Sequence, residues 1–85
     1  MNSRIIRTVT VTATYAALAA GRTAFTGEIG CPPANAGVVN FLGDDGADVA
    51  WIASEWHHFK DVDLSLFQIK GTVGDKVTIN GTGGG

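Results

Sequence analysis

Eighty-five residues with 12 glycines, 45% apolar residues, 16% charged residues and a formal charge of −2 exclude several classes at once. The chain is too apolar for a disordered tail. It has no apolar run of about 18 residues for a membrane-spanning helix, it lacks the basic balance of a nucleic-acid binder, and its glycines do not follow the three-residue period of collagen.

A domain this small buries only about 60% of the surface its unfolded chain exposes. Its single cysteine, Cys31, cannot close an internal disulfide and fits no zinc-ligand spacing. Self-association or docking on a larger body is therefore the expected source of added stability.

In chain order, residues 1–7 read as an N-terminal arm. Thr8–Thr14 puts Val9, Val11 and Ala13 on one face and four threonines on the other, the period-two pattern of a half-buried strand. That alternation also argues against a secretion signal, whose core is continuously apolar. Tyr15–Ala20 is too short before Gly21 for a stable helix and is expected to be an extended or irregular link. Arg22–Cys31 is a second strand, with Phe25, Ile29 and Cys31 on its core face, stopped by Pro32 and Pro33.

Asn35-Ala36-Gly37 is a turn before the strand Val38–Leu42, and Gly43-Asp44-Asp45-Gly46 is the strongest turn signal in the chain. Val49–Ile52, Trp56–Leu64, Phe67–Lys70 and Lys76–Asn80 complete about seven short antiparallel strands, and residues 81–85 read as a flexible glycine-rich tail. Strands at this spacing with glycine turns between them indicate a single all-β domain, a small β-sandwich or barrel, over residues 8–80.

Chemistry finds little purchase. Neighbouring strand residues point to opposite faces, so His57 and His58 are not expected to share a metal. Asp44-Asp45-Gly46-Ala47-Asp48 lacks the alternating acids and distant glutamate of a calcium loop and reads as a hairpin tip. There is no nucleophile elbow, and no glycine pair precedes a helix that could cradle phosphate. Catalytic, cofactor and metal sites are accordingly not expected.

Contact surfaces are the stronger expectation. Residues 1–27 carry Arg4, Arg7 and Arg22 and no acid, whereas residues 28–85 carry three lysines against eight acids. Trp51, Trp56, Phe59 and Phe67 crowd one stretch, and a core this small has room for about two of them. The candidate interface residues are Arg4, Ile5, Ile6 and Arg7 in the arm, which could add a strand to a neighbour's open edge, together with Trp51, Trp56, His57 and Phe59.

The order of motifs resembles a family of small all-β virion proteins of tailed phages. Asp63-Leu64-Ser65, the aromatic-led strand from Phe67, and Gly71-Thr72-Val73-Gly74-Asp75-Lys76-Val77 are similar to that family's ending. Thr8–Ala13 with Ala17-Leu18, and Asn35-Ala36-Gly37-Val38-Val39, are similar to its earlier stretches. Ser54–Phe59 departs from the pattern, with two extra aromatic residues where a glycine–glutamate turn is usual. The resemblance implies a non-enzymatic capsid decoration or cement protein, made in the host cytoplasm and carried on the capsid surface. Its implied partners are copies of itself, in trimers, and the major capsid protein, without cofactor, nucleic acid or membrane. The alternatives are a carbohydrate- or receptor-binding module with Trp51 and Trp56 as stacking platforms, or a small tail or neck component.

Overall fold

Short runs of β-branched and aromatic residues separated by glycine turns build eight strands: β1 (Ser3–Thr10), β2 (Ala16–Ala17), β3 (Ala24–Gly30), β4 (Val39–Leu42), β5 (Asp48–Trp51), β6 (Trp56–Asp63), β7 (Gln68–Gly71) and β8 (Lys76–Gly83). They are taken from a computed structural model that describes residues 3–83. The strands form two antiparallel four-stranded sheets, sheet A in the order β1-β8-β3-β6 and sheet B in the order β2-β7-β4-β5. The expected all-β architecture is the observed one. No helix among the described residues is long and apolar enough to cross a membrane.

The core between the sheets follows the alternation. Phe25 and Ile29 of β3, Val77 and Ile79 of β8, Val39 of β4 and Ile69 of β7 are buried, joined by Val11, Cys31 and Leu64 from the connections. At about 25 cal/mol per Å2 of apolar area, each such side chain contributes about 1.5–3 kcal/mol.

Both expected chain ends need correction. Ser3–Arg7 is no arm: it pairs residue for residue with Gly83–Ile79 and continues into Thr10 as one strand. Ile5 is the reason, because it lies in phase with Val9 and Val11 and is buried. The strand then stops at Thr10 rather than Thr14. The Val11 N–H donates to the Asp75 carbonyl at 2.8 Å and its carbonyl accepts from the Gly74 N–H at 3.3 Å, which turns the chain across the sandwich.

At the other end, Gly81–Gly83 belongs to β8. Gly81 and Gly27 face each other where β8 meets β3. A Cβ on Gly81 would sit 2.2 Å from the Thr26 carbonyl oxygen and 2.7 Å from Phe25 Cε1, so only glycine permits this approach beneath the Phe25 ring. Met1, Asn2, Gly84 and Gly85 lie outside the described residues.

The Asn35-Ala36-Gly37 and Gly71–Lys76 motifs are one structural unit. Asn35 Nδ2 donates to the Lys76 carbonyl, and the Lys76 N–H donates back to Asn35 Oδ1, both at 2.8 Å. The buried Asp75 carboxylate accepts the N–H groups of Ala36 and Gly37 at 2.9 and 3.0 Å. This polar clasp joins two loops that are far apart in sequence and supplies a cross-link the lone cysteine cannot. Asp63-Leu64-Ser65 has a similar structural role. Asp63 accepts from the N–H and hydroxyl of Ser65 at the start of the 3-10 turn Leu64–Leu66, and from the Thr23 N–H at 3.0 Å.

Candidate functional site

The two sheets end side by side at β5 and β6, which are edge strands joined by Ile52–Glu55. Between them lies an apolar groove of about 320 Å3, lined by Phe41, Val49, Trp51, Phe59, Leu66 and Phe67, with Asp44 at its rim. The register explains this lining. Val39, an inner residue of β4, lies opposite Trp51, and Phe41 lies opposite Val49, so all four share the inner face. The Phe41 and Trp51 rings stack with centroids 3.8 Å apart, and Phe59 meets Phe67 edge-on at 5.1 Å. Leu66 stands at the rim 77% exposed and Val49 47% exposed, a cost in water that a partner would remove.

The candidate residues divide between faces. Trp51 is buried in the groove wall, so it is neither an exposed contact nor an open stacking platform. Ile5 is likewise a core residue rather than an interface one. Phe59 is half-buried and forms the β6 side of the groove. His57 lies opposite the buried Ile29 and tilts against Trp51 at 4.5 Å, while His58 lies opposite Glu28 on the outer face, its Nδ1 3.6 Å from the carboxylate. Among the described residues no group of three or more His, Cys, Asp or Glu could hold a metal.

Trp56 lies flat on the outer face of sheet A, 44% exposed, over Gly30, where an added Cβ would come within 2.1 Å of the indole. Arg4 and Ile6 are exposed on the same face at its far edge. Arg7 is exposed although its phase along β1 is inward.

A clamp fixes the loop beside the groove. Glu55 accepts the Ile52 N–H at 2.9 Å and lies 2.6 Å from His57 Nε2; the His57 contact, then the Ile52 N–H, holds its carboxyl below the usual range. The Cys31 N–H donates to the Glu55 carbonyl and the Ser54 N–H to the Cys31 carbonyl, both at 2.9 Å. Burial, reinforced by the negative charges of Glu55 and Asp75, pushes the Cys31 thiol up to about 11.

Sequence reasoning missed Leu66, Phe41 and Val49 as groove residues. The signal was Leu64-Ser65-Leu66-Phe67, where three apolar residues in four break the two-face alternation and force one outward. It also missed the strap over sheet B, in which the Tyr15 hydroxyl donates to Asp48 and Lys70 Nζ lies 3.6 Å from Asp48 and 4.7 Å from the Tyr15 ring centroid. Tyr15 is raised to about 12, first by that hydrogen bond. Comparison with protein-family models, with curated proteins and with solved structures finds no match to this chain.

Proposed function

We propose that this chain is a non-enzymatic structural protein of a virion, a decoration or cement protein that binds a phage head and reinforces it alongside copies of itself. The observation that supports the reading is the open side of the sandwich. An aromatic-lined groove and the long unpaired edges β1 and β6 present surface suited to protein contact on a small rigid body. The motifs that carry the resemblance serve the same body: Asp63–Ser65 and Gly71–Asp75 cap and clasp its loops. On this reading the protein is made in the host cytoplasm and resides on the capsid surface, with the major capsid protein as its partner.

Co-sedimentation with purified heads lacking the protein tests it. Saturable binding that raises the temperature at which heads release DNA is expected; no binding to heads at any concentration refutes the capsid role. A second reading rests on Trp56, whose exposed, flat indole beside His58 and Glu28 suits stacking against a sugar ring. Quenching of tryptophan fluorescence by free sugars, lost in Trp56→Ala, would favour that reading.

A further inference from the structure

Sheet A has two free edges of equal length: β1 and β6 each run for eight residues, and neither has a second neighbour among the described residues. Unpaired edges of this length carry a row of unused N–H and C=O groups and are normally blocked or paired. We infer that the partner of the β6 edge and its groove is the β1 edge of a second copy of this chain, in a head-to-tail contact that continues sheet A from one copy to the next.

Three observations carry this beyond mere availability. First, direction matches. Each pairing across sheet A is antiparallel, so β1 and β6 run oppositely, and a second copy set beside the first in the same orientation brings an antiparallel β1 to β6.

Second, the faces match. Ile5, Arg7 and Val9 are the inward positions of β1, and His57 and Phe59 are the inward positions of β6. The register that overlaps the two strands sets Arg7 opposite Phe59, Thr8 opposite His58 and Val9 opposite His57, inward on inward and outward on outward up to the bulge at Asp61.

Third, charge matches. The β1 edge brings Arg4 and Arg7, neither with an ion-pair partner among the described residues, while Asp44 lines the groove that Arg7 would enter. An inward-pointing charge on an edge strand keeps apolar partners away. Here it also selects a socket of aromatic rings with the Asp44 carboxylate among its lining, which the same chain provides at its other edge.

A head-to-tail contact closes into a ring when its rotation allows. The inference deepens the assembly reading by naming one partner. It needs no capsid, so its failure and the failure of head binding appear in different experiments.

The test uses the full chain with Thr8→Cys and His58→Cys made separately. Within one chain β1 and β6 are three strand spacings apart, roughly 14 Å, beyond the roughly 7 Å between Cα atoms that a disulfide spans. Cys31 is buried and does not compete.

Under mild oxidation an equimolar mixture of the two variants is expected to give a mixed disulfide dimer, and each variant alone none. Light scattering should give the wild type a mass that is a multiple of 8.8 kDa. Arg7→Glu should fall to the single-chain mass with an unchanged far-UV spectrum. A wild type of single-chain mass at sub-millimolar concentration overturns the inference. So does efficient disulfide formation by either variant alone, which would mean like edges meet.

Discussion

Removing the Asp75 carboxylate should open the clasp between the Asn35–Gly37 and Gly71–Lys76 loops. Asp75→Ala leaves the N–H groups of Ala36 and Gly37 without their acceptor. Each unsatisfied donor costs about 1–3 kcal/mol when water cannot reach it. Ala36 is exposed and Gly37 half-buried, so water restores part of the loss and the lower half of the range applies. The expected destabilisation is about 2–4 kcal/mol, set against a total of about 4–13 kcal/mol for a domain of this length at about 0.05–0.15 kcal/mol per residue. Asp75→Asn keeps one oxygen but turns an amide donor toward the second N–H, and should lose about 1–2 kcal/mol. Urea unfolding followed by tryptophan fluorescence measures both. With a slope near 1 kcal/mol per molar for a small domain, the alanine midpoint should fall by about 2 M or more with the slope unchanged. A fall under about 0.5 M, or an asparagine variant as damaged as alanine, would refute the clasp as a source of stability.

Gly81→Ala should cost about 3 kcal/mol or more, because its Cβ meets a backbone oxygen that cannot move without parting β3 from β8. Gly21→Ala, where nothing lies within 4 Å, should leave the thermal midpoint almost unchanged, and equal effects at the two sites would contradict the packing argument. Cys31, buried and with its thiol raised to about 11, should resist a thiol reagent at pH 8 until denaturant is added; rapid labelling of the native protein would show the core to be open. Asp63 is held below the ordinary aspartate range first by the Thr23 N–H and then by Ser65. The stability it contributes is therefore complete above about pH 4 and lost as pH falls through its lowered folded value. Thermal midpoints should drop on acidification, and Asp63→Asn should make that acid limb shallower; an unchanged limb would remove Asp63 from the account.

Much of the fold was legible because period-two alternation and glycine turns are local signals. Even the bulge in β6 left a trace. Phe59 and Val62 are three apart where a regular strand would space inward residues by two, and the extra residue is taken up at Asp61, whose φ is 53° and whose N–H donates to Thr26 Oγ1 at 2.9 Å. What failed depended on partners remote in the chain. Arg4-Ile5-Ile6-Arg7 has no clean alternation, and its place in a strand is decided by pairing with Gly83–Ile79. Trp51 and Trp56 look alike in sequence, yet opposition to Val39 sends one inward while opposition to Gly30 leaves the other outside. The groove was visible only as an excess of aromatic residues, because its walls come from both sheets.

The place of β8 between β1 and β3 has a kinetic consequence. Sheet A cannot form around its own centre until Lys76–Gly83 is present, since among the described residues β1 pairs with no other strand and β3 has only β6 for company. During synthesis the chain must therefore hold β1 and most of the core unfinished while the remaining strands emerge, then close in a single late step. Such non-local pairing folds in roughly milliseconds to seconds rather than microseconds. Stopped-flow refolding should show one dominant phase in that range, slowed by substitutions in β8 such as Ile79→Val more than by equivalent changes in the β4–β5 hairpin.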